Sequence, residues 1–245
     1  MPTDELTEPV APPDDRPVAE HLQRGEVEIL GRMPWSSNGT FLCEVEHEGA
    51  VRRAIYKPRG GERELWDFPS GLWQREVAAY ELSAALGWDL VPVTVERVGP
   101  YGIGSLQDLV DADFEQHYFT LYENEATHPS LRAMCCFDLI GNNTDRKSGH
   151  VLLARDGRIR GIDHGLMFHH EFKLRTVIWE FGGEPVPPDL LRAVAALVDG
   201  DLPDPLACRL DPFERDAVRA RGRAIVDAGC FPIDETGRRY PWPLV

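Results

Sequence analysis

The sequence contains no C-x-x-C pair, and its five cysteines (Cys43, Cys135, Cys136, Cys208 and Cys230) follow no ligand or disulfide spacing. A structural zinc site needs thiolates at short, regular intervals, so that class is excluded. Adjacent Cys135 and Cys136 are expected as small apolar residues within a helix, and unpaired thiols fit a cytoplasmic, reducing compartment. No apolar run approaches the roughly 18 residues of a membrane span, which excludes an integral membrane segment. The opening MPTDELTEPVAPPDDRPVAE is acidic and proline-rich, the opposite of a signal peptide. There is no H-E-x-x-H and no G-x-G-x-x-G; the three glycines of GPYGIGS (99–105) lie between two expected strands and fit a turn. Positive charge is scarce as well. Lys and Arg number 26 against 41 Asp and Glu, a net charge of −15, which disfavours duplex nucleic acid as a partner. No polybasic or amphipathic membrane anchor is visible.

What is present suits a globular chain of one large domain or two small lobes: 245 residues, 42% hydrophobic and 27% charged. Residues 1–20 carry six acids and one arginine and are expected as a disordered acidic tail. Beyond it the runs EVEIL (26–30), GTFLCEVE (39–46) and VRRAIYK (51–57) alternate as strands, the last two forming an antiparallel hairpin. Apolar residues then recur at three- and four-residue steps over 72–87, a helix ending on Gly87. Two further strands follow at 89–98 and 102–110.

The second half is mainly helical. Helices are expected at 129–142, 187–200 and 211–229, the last capped by Asp211 with Glu214 three residues on. A short hairpin, HVLLA (150–154) and IRGID (159–163), ends at Asp163. The fold class is therefore α+β and bilobal: a small antiparallel β lobe with one helix (21–108), then a mainly helical lobe (109–245).

Chemistry concentrates in IGNNTDRKSGHVLL (140–153), where Asp145, Arg146, Lys147 and His150 crowd between a helix and a strand. The base of a tight hairpin brings His150 near Asp163. Two carboxylates and an imidazole at a cleft could hold a divalent metal, or one carboxylate could accept a proton from a hydroxyl. In the first lobe Lys57 ends a strand and Glu76 lies on the helix 19 residues later, the pattern of a phosphate-positioning ion pair. The loop before the hairpin offers Ser36, Ser37, Asn38, Gly39 and Thr40 as phosphate donors.

This ordered series resembles the atypical branch of the kinase superfamily: phosphatidylinositol 3-/4-kinases of the type II kind and bacterial HipA-like kinases, in an actinobacterial group. SSNGTF resembles their phosphate loop, IYKP the strand of the nucleotide lysine, REVAAYELSAALGWDLVP the helix that follows, and GSLQDLV the strand entering the hinge. DLIGNNTDRKSGH is similar to their catalytic loop and IDHGLMF to their metal-binding turn. The likeness spans about residues 30–170.

The resemblance implies a protein-kinase-like fold and an ATP-dependent phosphotransferase acting on a hydroxyl of an inositol lipid, a protein or a small metabolite. Adenine would lie near 107–110, with Gln107 and Leu109, and the phosphates near Ser36–Thr40 and Lys57, which Glu76 holds. Asp145 would orient or deprotonate the acceptor, Arg146 and Lys147 would flank the transferred phosphoryl, and Asp163 would hold Mg²⁺. His150 departs from the family's usual asparagine. Mg²⁺ prefers oxygen donors, so the change favours Mn²⁺ or a single metal. It also motivates the alternative, a pseudokinase that binds nucleotide without turnover.

Overall fold

The computed structural model describes residues 14–34, 36 and 38–244. Helix α1 (Arg16–Arg24) has Pro17 in its first turn, where a missing N–H is harmless. It buries His21 and Leu22, and His21 Nε2 lies 2.8 Å from the Val45 carbonyl. Residues 16–20 are therefore helical, unlike the tail expected over 1–20. Two buried side chains on the following turn dock the helix, which local composition does not reveal. Residues 1–13 lie outside the described residues.

Strands β1 (Glu26–Arg32), β2 (Phe41–His47) and β3 (Ala50–Pro58) form an antiparallel meander. Glu48 and Gly49 turn between β2 and β3 with φ of 52° and 79°, the paired positive values of a tight hairpin. Helix α2 (Leu72–Leu86) follows, then β4 (Thr94–Gly99) and β5 (Gly102–Asp108), which complete a sheet ordered β1-β2-β3-β5-β4. The strand expected from 89 starts only at Thr94. Asp89 sits at φ 51°, Leu90 and Val91 donate their N–H groups to Ser83 Oγ, and Pro92 has no N–H to offer a ladder.

Ten of the fifteen α2 residues are buried, because the helix is covered on two sides. It touches β4 and β5, while Ala78, Ala79, Leu82 and Leu86 join the core of the second lobe. The sheet keeps a small core of its own, built around Leu22, Val45, Tyr56 and Leu106.

The second lobe contains β6 (Ala112–Asp113), α3 (Tyr118–Tyr122), α4 (His128–Gly141), β7 (Val151–Ala154) and β8 (Ile159–Gly161), and then α5 (Pro188–Asp199), α6 (Asp204–Ala207) and α7 (Pro212–Ala228). Strands β6, β7 and β8 pair as a small antiparallel sheet beside the helices. Cys135 and Cys136 are buried in α4, and burial pushes the Cys136 thiol up to about 12. Glu214 N–H donates to Asp211 Oδ1 at 2.9 Å and Asp211 N–H to Glu214 Oε2 at 3.0 Å, the reciprocal cap expected for α7. The chain is thus bilobal and α+β, as expected, with α1 added to the first lobe. Among the described residues no helix is long and apolar enough to cross a membrane.

Candidate active site

Lys57, the penultimate residue of β3, reaches out of the sheet toward both lobes. Its Nζ donates to Glu76 Oε1 on α2 and to Asp163 Oδ1, the latter at 2.8 Å. Glu76 is only 3% exposed, and its second oxygen accepts the His164 N–H at 3.0 Å. One buried carboxylate therefore ties the strand lysine to the turn after β8. Burial alone would lower Lys57, but the charges of Asp163 and Glu76 outweigh it and hold the amine well above its ordinary range. Lys57 in turn holds the Asp163 carboxyl well below the usual carboxylate range, against burial. Asp163 adopts φ 60°, a left-handed conformation uncommon for a residue with a side chain and here fixed by its neighbours.

The adjacent asparagines have separate tasks. Asn142 caps α4 at φ 53°; its amide nitrogen donates to the carbonyls of His169 and Glu171, and its oxygen accepts the Lys173 N–H. It thereby fastens the 169–173 segment. Asn143 Nδ2 donates to Asp138 Oδ1 at 3.0 Å, and its oxygen accepts the Asp145 N–H at 3.0 Å, which sets the Asp145 loop. Asp145 faces Lys147 Nζ at 2.9 Å. Burial raises the Asp145 carboxyl, opposed chiefly by Lys147. His150 Nε2 lies 3.5 Å from Asp163 Oδ2, and burial pushes the imidazole down to about 4, so it is neutral at pH 7.

Arg146 is not beside this group. Its side chain is fully buried: Nε and Nη2 donate to Asp138 at 3.0 and 2.9 Å, and Nη1 donates to Ile162 O at 3.0 Å. The expectation that it flanks a phosphoryl group is corrected by backbone pairing. Arg146 bridges Thr176 in parallel, and alternation turns residue 146 inward and 145 and 147 outward.

A cavity of about 520 Å³ opens between the lobes, within the range of small-molecule sites. Lys57, Glu76, Asp145, Lys147, His150 and Asp163 line it together, as do Ser36, Asn38, Gly39, Thr40, Gln107 and Leu109. Ser37 lies outside the described residues. The 36–40 loop is less free to donate than its sequence implies. Gly39 N–H is held by Gly61 O at 2.6 Å, Thr40 N–H by Asn38 O at 2.9 Å, and the Ser36 and Thr40 hydroxyls bond each other at 2.8 Å. Gln107 is buried with its amide on Thr94 Oγ1, and Leu109 N–H donates to Arg53 O. Sequence reasoning missed the apolar wall made by Ile55, Leu152 and Ile162. Each is an apolar strand or strand-end residue, a pattern shared with ordinary core.

Among the described residues no three His, Cys, Asp or Glu side chains converge into a metal centre. Asp163 and His150 supply too few donors for a protein-only site. They suit a cation that draws its remaining ligands from phosphate and water, the usual habit of Mg²⁺.

The chain is 41% identical over 259 aligned residues to Protein Rv2133c of Mycobacterium tuberculosis, with 91% of this chain and 93% of that protein covered. The crystal structure of a Helicobacter pylori proinflammatory kinase, CtkA, matches at a TM-score of 0.47 and 11% identity, covering 86% of this chain and 94% of the other. No protein-family model matches.

Proposed function

We propose that this chain, which belongs to the family of the Mycobacterium tuberculosis protein Rv2133c, is an ATP-dependent phosphotransferase that moves a γ-phosphoryl group to a hydroxyl acceptor. The observation that carries this reading is the convergence of Lys57, Glu76, Asp145 and Asp163, from four separate elements, on one inter-lobe cavity that also has apolar lining. The apolar lining of Ile55, Leu152 and Ile162 suits a flat base, and the charged lining suits a polyphosphate.

Each residue has a role in this reading. Lys57 contacts the phosphates, and Glu76 fixes its direction. Asp145 orients the acceptor hydroxyl and takes its proton as the new P–O bond forms and the β,γ-bridging P–O bond breaks, with ADP leaving. Lys147 neutralises charge developing beside Asp145. Asp163, with His150 next to it, would hold Mg²⁺ or Mn²⁺, whose charge offsets that of the phosphates.

Thermal shift with ATP and Mg²⁺ tests the reading. ATP should stabilise the wild type, and Asp163→Ala should remove that effect; unchanged stabilisation sinks the nucleotide site. Asp145→Asn should keep binding but lose about 10²- to 10⁴-fold in γ-phosphate transfer. His150, where an oxygen donor would suit Mg²⁺ better, favours a second reading, nucleotide binding without turnover. Retained binding with no difference in γ-phosphate loss between wild type and Asp145→Asn would decide for it.

A further inference from the structure

Residues 143–147 and 174–178 lie side by side. Arg175 N–H donates to Asn143 O at 2.9 Å, Arg146 N–H to Arg175 O at 3.0 Å, and Val177 N–H to Arg146 O at 3.1 Å. Across this pair Arg146 and Thr176 are partners, and both point inward to Asp138, with Thr176 Oγ1 3.2 Å from Oδ2. Alternation along extended backbone then places Asp145 and Arg175 together on the opposite, outer side. Arg175 is exposed. Among the described residues its guanidinium has no ion-pair partner, whereas neighbouring Lys147 is held by Asp145 at 2.9 Å and Lys173 by Asp67 at 3.3 Å. Burial raises the Asp145 carboxyl, and Arg175 is among the cations opposing that rise, as its position on the same side requires.

A chain with 41 acidic and 26 basic side chains has carboxylates to spare for each arginine. One that stands beside the acceptor carboxylate without a partner has its planar donor fork available to a ligand. We propose that Arg175 binds an anionic group, phosphate or carboxylate, carried by the acceptor near the hydroxyl that Asp145 engages. This rests on the phosphotransferase reading and narrows it to anionic acceptors. Lys147 does not replace Arg175 here, because its ammonium is already paired with Asp145.

The test uses full-length protein saturated with a non-hydrolysable ATP analogue and Mg²⁺, so that the nucleotide fills its own phosphate positions. Glycerol 3-phosphate, glycerate and glycerol are then titrated and the melting temperature read. One or both anions should add stabilisation, the better of the two identifying the preferred charge, and glycerol should add none. Arg175→Gln should weaken the anion response about tenfold or more, the effect of losing a charge-assisted hydrogen bond, while Arg175→Lys keeps part of it. The substituted side chain is exposed and the backbone bonds of residue 175 remain, so the variants should fold. Equal responses from wild type and Arg175→Gln, an equal response to glycerol, or no response to any of the three would overturn the proposal. Loss of the response to the ATP analogue itself would instead overturn the nucleotide reading, and the proposal with it. With an identified acceptor, Arg175→Gln should raise its KM and leave the KM for ATP unchanged; a fall in kcat at constant KM would point to the transferred group and count against acceptor binding.

Discussion

Replacing Asp138 with asparagine should destabilise the whole second lobe although residue 138 does not line the inter-lobe cavity. Asp138 and Arg146 are both fully buried. The carboxylate accepts from Arg146 Nε at 3.0 Å and Nη2 at 2.9 Å, from Asn143 Nδ2 at 3.0 Å and from Thr176 Oγ1 at 3.2 Å. Asparagine keeps the shape but removes the charge and aims donors at donors. A buried ion pair broken on one side costs about 3–5 kcal/mol, because the remaining charge is left uncompensated. At about 2 °C per kcal/mol for a chain of this size, the melting temperature should fall by about 6–10 °C. Urea unfolding followed by tryptophan fluorescence reads the same loss as a lower midpoint at an unchanged slope. The double variant Asp138→Leu with Arg146→Met should cost less than the two single losses together, since no charge is left stranded. A loss for Asp138→Asn under about 0.5 kcal/mol, the scale of an ordinary surface change, would refute the account of Arg146 as a structural clamp, as would strict additivity in the double variant.

Gly39→Ala should weaken ATP binding and destabilise the loop by about 1–3 kcal/mol, the usual range for overpacking. A methyl group there would meet Gly61 Cα at 2.9 Å, whereas Gly31, with open space around it, serves as the control; equal effects from the two alanines would dismiss the steric argument. Stability should also fall from pH 7 to pH 5. Buried His150 stays neutral down to about 4, while its unfolded form takes up a proton below its ordinary 6.5, so acid favours unfolding across that window. The single group accounts for about 2 kcal/mol between those pH values, and buried His164 shifts in the same direction. Urea midpoints at the two pH values check this, and a protein no less stable at pH 5 contradicts it. Glu76→Gln should raise the KM for ATP about tenfold through loss of a charge-assisted bond to Lys57, with a smaller effect if Asp163 alone can direct the lysine.

Local sequence rules identified the elements whose information is local. The Glu48-Gly49 turn sets the β2–β3 hairpin, Gly87 ends α2 at φ 66°, and Asp211 with Glu214 starts α7. Lys57 and Glu76 were legible as partners because a strand end and the following helix can place them on one side of the sheet. Arg146 and Lys147 could not be told apart by such rules. Which one faces the cavity depends on a parallel bridge to Thr176, thirty positions away, and on Asp138 waiting behind it. Helix α1 was hidden for a similar reason: its docking partner, the Val45 carbonyl, lies on another element. Gly39 lies on the cavity wall, but its close approach to Gly61 is a contact between two loops that neither sequence segment announces.

The position of α2 explains how the site can be set before any ligand arrives. By sequence the helix belongs to the sheet lobe, yet Ala78, Ala79, Leu82 and Leu86 are buried in the core of the helical lobe. Its polar residues reach both lobes, with Tyr80 donating to Asp15 at 3.1 Å and Glu76 accepting from Lys57 on the sheet side. Arg75 donates to Met167 O at 3.0 Å and pairs with Glu214 of α7 at 2.5 Å, both in the second lobe, and neighbouring Glu76 holds the His164 N–H there as well. Four buried apolar side chains and three polar contacts fasten α2 to the second lobe, while its packing on β4 and β5 and the Glu76–Lys57 pair fasten it to the sheet. Glu76 is therefore placed by a helix packed on both lobes, joining Lys57 of β3 to the His164 N–H beside Asp163. The geometry of the charged group therefore resides in α2, α4 and the two turns that they hold, with β3 supplying the lysine.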